Sequence, residues 1–381
     1  MTAVQLVWIV CGSVLPALAV AVVTGYVVRR HAERWGLVDH PGRRKVHEKA
    51  TPLGGGLAIW LALVVPLAAG QFLIWAIAAG SAGDGWAWLA DLPLPDFVRP
   101  HIDGLLHQSA KLWLLMAAGT VLMLVGLADD LRQLDWRPRL ALQVLVAALV
   151  VWRGWRLSLF IDAPLLTAAL SVVWIVGLVN SFNMLDNMDG LSGGVAVIAA
   201  SMLAAVLLMA PDPQTSGPQL FVAGLLLVLV GAVAGFLWHN RPPARMFMGD
   251  AGSYLIGFLL AVTTIMATFA GGDLPRHAIL APLCVLAVPL YDTTTVVFIR
   301  LRAGHSPFQP DRNHLSHRLV ALGMTNRQAV GTIYLLTATC GLGALVLHQV
   351  NALGAGVILL LVLCVLALVA ILETTARKHR G

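Results

Sequence analysis

Residues 219–238 read QLFVAGLLLVLVGAVAGFLW, a stretch without one charged side chain. About twenty such residues wound into a helix match the roughly 30 Å of hydrocarbon in a bilayer, where backbone polar groups must bond to one another. Outward from this stretch, similar runs recur near 4–28, 53–79, 110–128, 139–152, 160–179, 191–210, 252–270, 277–299, 329–348 and 353–372. Together they predict an all-α, polytopic integral membrane protein of about eleven transmembrane helices, with one transmembrane domain over residues 1–381. The run at 139–152 is short and needs Trp152 and Trp155 at the interface, or a tilted neighbour. The first run, Val4 to Val28, lacks a basic leader and is long enough to span, which predicts a retained helix rather than a cleaved signal peptide.

Composition agrees. Of 381 residues, 59% are apolar and 12% charged, against about 25% charged in a soluble domain, and the mean hydropathy is +0.82. Disorder, collagen, nucleic-acid binding and a disulfide-stapled scaffold are excluded. Placing the N-terminus outside gathers 20 of the 25 Lys and Arg residues into inner segments 29–52, 129–139, 180–190, 239–251, 300–328 and 373–381. The positive-inside rule therefore predicts N-terminus out and C-terminus cytoplasmic. Outer loops such as 80–109 and 211–218 read as connectors or interfacial caps. Cys11, Cys284, Cys340 and Cys364 are isolated and read as small core residues, neither bridges nor metal ligands.

The acids carry the message. Sixteen of the nineteen are Asp, and nine of those fall in or beside the inner segments. Juxtamembrane carboxylates are costly and mark ion or substrate sites. Asp129 and Asp130 end the third run, and adjacent carboxylates both ionise only beside a cation or in water. In the segment Asn180 to Gly194, Asn180, Asn183, Asp186 and Asp189 recur every third residue, which on a helix makes one polar stripe; a helix cap is the plainer reading of one Asp. Asp250 lies between Gly249 and Gly252 where a helix starts, a place for bound phosphate, for Mg²⁺ held by few protein carboxylates, or simply for a cap. The loop Arg300 to Arg318 carries Arg312, His314 and His317, which suit a pyrophosphate or lipid headgroups; a zinc pair lacks a third ligand. Asp292 is a further buried acid, expected to orient this loop or help hold the cation. The basic segment Asp39 to Lys49 enters a span through Gly54-Gly55-Gly56, where close backbone approach explains glycine.

From about Asp39 to Arg318 these segments, in this order, resemble the polyprenyl-phosphate N-acetylhexosamine-1-phosphate transferases, nearest the bacterial undecaprenyl-phosphate GlcNAc-1-phosphate transferases of cell-envelope polysaccharide synthesis. The resemblance implies that Asp129 and Asp130 are the aspartate pair near the lipid phosphate and that Asp250 is the Mg²⁺ ligand, with Mn²⁺ a substitute. It implies nucleotide-sugar contacts from Lys49, Asp186, Asp189, Asn240, Phe247 and Arg312, catalytic roles for His314 and His317, and support from Asn183 and Asp292. Two departures stand out. Asn187 and Met188 replace the family's Gly and Leu between the paired acids, and Leu315-Ser316 replaces its Ile-His.

The implied reaction takes UDP-GlcNAc and undecaprenyl phosphate to undecaprenyl-diphospho-GlcNAc and UMP at the cytoplasmic face of a bacterial inner membrane. Its partners are these two substrates and membrane lipids, without nucleic acid, and a homo-oligomer is compatible. No G-x-x-x-x-G-K-[ST] segment occurs, and one phosphoanhydride replaces another, so no ATP is needed. The alternatives are a phospho-MurNAc-pentapeptide or other UDP-N-acetylhexosamine transferase and, in a different class, an ion-coupled transporter, whose acids tend to lie at mid-span in repeated halves.

Overall fold

The computed structural model describes residues 1–39, 50–81, 97–212, 217–271, 274–309 and 311–378. Lys49, in the basic segment, and half of the outer loop 80–109 lie outside the described residues. Thirteen helices make up nearly all of what is described. They are α1 (Ala3–His31), α2 (Gly55–Ser81), α3 (Ile102–Arg132), α4 (Trp136–Trp152), α5 (Pro164–Leu185), α6 (Leu191–Met209) and α7 (Leu220–Asn240), followed by α8 (Gly249–Met266), α9 (Ala281–Val285), α10 (Ala287–Arg302), α11 (Leu315–Ala321), α12 (Asn326–Val346) and α13 (Ala352–Lys378). The two-residue strands β1 (Val38–Asp39) and β2 (Thr51–Pro52) pair antiparallel beside them.

Among the described residues, nine helices are long and apolar enough to cross a membrane, and a tenth crossing arises if the bent pair Arg276–Val285 and Ala287–Arg302 counts as one. The eleventh expected segment is α4, whose 17 residues leave it shorter than the rest. The pair bends by 67°. Pro289 has no N–H to return to Val285, so the ladder breaks there.

The bundle is built around α8, in which every residue from Ala251 to Ile265 is buried. Helices α2, α3 and α5 press on it through glycine. A Cβ at Gly56 would stand 2.2 Å from the Gly252 nitrogen, and one at Gly126 would stand 2.4 Å from the Asp250 carbonyl carbon. The close approach expected of the glycine triplet is therefore present, and it is aimed at the first turn of α8. On the other flank, α1 lies along α7, where Gly231 and Gly235 face the Val14 and Leu18 carbonyls, the small-residue contact that lets helices associate in lipid. Outward faces are apolar, with Leu165 87% and Leu353 80% exposed. Cys284 and Cys340 are buried as expected, but Cys11 and Cys364 are exposed, because α1 and α13 are peripheral and a lipid-facing surface accepts the same small apolar residues as a core.

Candidate active site

The site forms where several helix ends meet, and α8 supplies its floor. Gly249 opens that helix with a φ of +70°, and a Cβ there would collide with the Asp130 carboxylate. Asp130 Oδ1 accepts from the Asp250 N–H at 2.8 Å and Oδ2 from the Ala251 N–H at 3.3 Å. The helix N-terminus expected to face phosphate is thus capped from another helix, by the second member of the aspartate pair.

Asp129, one residue earlier in the last turn of α3, points elsewhere. Its Oδ1 accepts from the Leu134 N–H at 2.6 Å and its Oδ2 from Arg139 Nη1. The chain between them reverses through Gln133, in the left-handed region at φ 50°, and restarts at Asp135, whose carboxylate caps α4 by accepting from the Arg137 N–H. This tight return brings Arg139, on the first turn of α4, back over Asp129. The same Nη1 stands 3.1 Å from Asp250 Oδ2 and 3.2 Å from the Tyr254 hydroxyl. Asn183 Nδ2 completes the cluster, donating to Asp250 Oδ1 at 2.7 Å and Ser253 Oγ at 3.2 Å.

Asp129 and Asp250 therefore share one cationic group. Mg²⁺ takes one or two protein carboxylates and fills its remaining positions with water and substrate oxygens, so this oxygen pair fits such an ion, with Arg139 the group that would have to share or cede the place. Among the described residues, no cluster of three or more His, Cys, Asp or Glu side chains is arranged to hold a metal by itself.

The polar stripe from Asn180 to Asp189 is not continuous. Helix α5 ends at Leu185, and Asp186 leaves the helix at φ −80°, ψ 53°. Asn180 turns to Gln143 Oε1 at 2.7 Å, while Asn183 meets Asp250. Asp189 accepts from the Ala244 N–H at 2.9 Å, and Asn240, 3% exposed, accepts from the Gly190 N–H at 2.8 Å and donates to the Met246 carbonyl at 2.9 Å. These two side chains stitch the turn 186–190 to the connection after α7. Phe247 is half-buried in that connection; its N–H donates to the Pro52 carbonyl and its own carbonyl accepts from Gly55. Asp186 is partly buried. Burial pushes its carboxyl up to about 7, and the nearby Asp130 and Asp189 add to the rise.

The histidine segment is a second assembly. Asp292, 1% exposed on α10, binds His314 Nδ1 at 2.9 Å and accepts from the Leu315 N–H, with Arg318 at 3.7 Å. Of the two roles expected for Asp292, orienting the loop is the one these contacts express. Arg300 grips Asp311 with two nitrogens, at 2.9 and 3.1 Å, and also reaches the Pro307 carbonyl. His317 is half-buried; burial and the neighbouring His314 hold its pKa below the ordinary imidazole value, and Arg312 is exposed. Phe308 stacks on Trp136, ring centroids 4.0 Å apart, joining this loop to the start of α4.

Arg139, Ser253 and Tyr254 did not emerge from the sequence as site residues. Arg139 reads there as one more inner-face charge, and Tyr254 as one more apolar position. Only the reversal at Gln133 reveals what Arg139 faces.

Fold and site define a polytopic helical membrane protein with acidic and imidazole side chains gathered at one end of its bundle. The family model described as glycosyl transferase family 4 matches residues 112–268. The chain is 33% identical to the decaprenyl-phosphate N-acetylglucosaminephosphotransferase of Mycobacterium tuberculosis, over 87% of this chain and 81% of that one. It is 29% identical to a Bacillus subtilis protein named probable undecaprenyl-phosphate N-acetylglucosaminyl 1-phosphate transferase, over 91% and 86%. It is 28% identical to the undecaprenyl-phosphate alpha-N-acetylglucosaminyl 1-phosphate transferase of Escherichia coli, over 82% and 77%. The chain belongs to the polyprenyl-phosphate N-acetylhexosamine-1-phosphate transferases, the family its motifs resemble.

Proposed function

We propose that the protein transfers GlcNAc-1-phosphate from UDP-GlcNAc to undecaprenyl phosphate, releasing UMP, as the first membrane step of a cell-envelope polysaccharide. The observation that carries this reading is the convergence of Asp129, Arg139, Asn183 and Asp250 at one end of the bundle, beside the turn holding Asp186 and Asp189. The names of its relatives support a GlcNAc donor and a polyprenyl acceptor; undecaprenyl rather than decaprenyl is our choice between them. Among the described residues, Arg29 and Arg30 at the end of α1, Arg132 at the end of α3 and Arg300 at the end of α10 fall at this same end, so we place it in the cytosol, with eleven crossings, the N-terminus outside and the chain in a bacterial inner membrane.

The acceptor is a phosphate monoester with a second pKa of about 6, already largely dianionic at neutral pH. One of its oxygens attacks the sugar-bound phosphorus while the bond to UMP breaks, so one P–O–P linkage forms as another is lost. The obstacle is repulsion between anions. Arg139, held between Asp129 and Asp250, presents a guanidinium to the reacting phosphates. Asp130 keeps α8 in register so that Asp250 stays on the floor of the cleft, and Asp186, titrating near neutrality, suits a residual acceptor proton. Mg²⁺ bound by Asp250 and Asp129 would supply charge neutralisation of the diphosphate and of the departing UMP. In the rival transporter reading the acids would sit at mid-span, whereas here Asp129, Asp130, Asp186, Asp189 and Asp250 sit at helix ends or in the turns between helices.

Membranes containing the protein, given Mg²⁺ and undecaprenyl phosphate, are expected to form UMP and a lipid-linked product from UDP-GlcNAc, and not from UDP-GalNAc or UDP-MurNAc-pentapeptide. A preference for either other donor would reassign the substrate, and no product from any donor would remove the proposal.

A further inference from the structure

Asn187 and Ser316 lie 129 residues apart, one in the turn that carries Asp186 and Asp189, the other in the first turn of α11. In the folded protein the two meet. Ser316 Oγ donates to Asn187 Oδ1 at 2.5 Å. The amide is aimed, because Asn187 Nδ2 donates to the Met184 carbonyl at 2.8 Å, leaving Oδ1 turned toward α11. Ser316 is 1% exposed, so its hydroxyl has no water to fall back on. Among the described residues, no other side-chain hydrogen bond or ion pair joins the turn 186–190 to α11.

The bond sits between two assemblies that are each fastened elsewhere. On one side Asn183, a turn of helix before Asn187, holds Asp250; on the other, His314 and the Leu315 N–H are fixed by Asp292. Glycine at 187 would offer no acceptor to α11. The two side chains are therefore a matched pair: an acceptor at 187 and a short donor at 316 that fits beneath it.

We infer that Asn187 and Ser316 are a positioning pair, which sets the spacing between the acid turn and the histidine segment and so the fit of the nucleotide-sugar donor. This rests on the transferase reading above. Neither residue is placed to touch reacting atoms. The lipid acceptor, whose phosphate is expected beside Asp129 and Arg139, should be indifferent to the pair.

The test is steady-state kinetics of the full-length protein in membranes with UDP-GlcNAc and undecaprenyl phosphate, comparing wild type, Ser316→Ala, Asn187→Ala, the double variant and Ser316→Thr. Each alanine variant is expected to raise the donor KM about tenfold, leaving kcat and the acceptor KM within about twofold, as loss of positioning before the chemical step requires. The double variant should be no worse than either single one, since all three lose the same bond. Ser316→Thr, which keeps the hydroxyl, should return the donor KM toward wild type, and thermal melting of every variant in detergent checks that the fold is retained. An unchanged donor KM, effects that multiply in the double variant, or an equal rise in acceptor KM would overturn the pair. Wild type inactive with every donor would overturn the transferase reading instead.

Discussion

The aspartate assembly and the histidine assembly are built on opposite plans. The first lies on the ends of α3, α4, α5 and α8, where Arg139 and Asp250 are 25% and 27% exposed and backbone contacts at Gly56 and Gly126 pack the helices closely. The second hangs on the buried pair Asp292 and His314, which with Arg300 straps a loop and a seven-residue helix to α10. Phosphoryl transfer asks for positioning and fixed charge above all, which the rigid assembly supplies. Rigidity comes from helix packing on one side and, on the other, from the contacts of Arg300 with Asp311, of Asp292 with His314 and of Arg318 with Asp292 and Glu373.

The contrast can be broken by substitution. Asp250→Asn, which removes the charge on the floor of the cleft, should lower turnover on the order of a thousandfold, measured as lipid-linked product. Arg139→Gln leaves Asp129 and Asp250 facing each other without their shared cation, and a loss of about a hundredfold is expected in the same assay. Asp292→Asn should cost only about tenfold, because it loosens the loop while the aspartate assembly stays intact. An Asp292 variant as inactive as Asp250→Asn would mean the two assemblies are equally indispensable, and the contrast would fail.

A pH experiment sharpens the same point with the smallest effect. Burial alone would raise the Asp311 carboxyl, but the Arg300 hydrogen bonds, with those of Asn313, outweigh it and hold it at about 2. A depressed carboxyl contributes its full stabilisation above the unfolded value of 3.8 and loses it as the pH falls toward about 2. The protection of amides in residues 303–309 and 311–314, taken relative to the intrinsic exchange rate at each pH, should therefore fall below about pH 4, ahead of protection around α8, and Asp311→Asn should show the lower protection already at neutral pH.

Much of this is legible in the sequence. Membrane crossings announce themselves because apolar runs and charged connections alternate so sharply, and the glycines before α2 declared a close approach that Gly56 makes against Gly252. Asp250 was legible as a helix-start acid for the same reason that glycines flank it. The failures have a common cause. A three-residue period was extended through Asp186 and Asp189, although α5 stops at Leu185 and the turn's bonds to Asn240 and Tyr334 come from distant helices. Asp130 looked equivalent to Asp129, yet one caps α8 and the other binds Arg139. Partners 50 and 144 residues away decide the first, and partners 120 and 10 residues away, the latter across the reversal at Gln133, decide the second; no three-residue period carries that information.

Helix α4 has one more consequence. Its 17 residues make a rod of about 25 Å, some 5 Å short of an ordinary hydrocarbon core. Trp152, 78% exposed, stands at its far end, and Arg139 rides on its near one. Where α4 crosses, a thicker bilayer would pinch inward around the rod or draw it along its axis, and axial displacement would carry the Arg139 guanidinium away from Asp129 and Asp250.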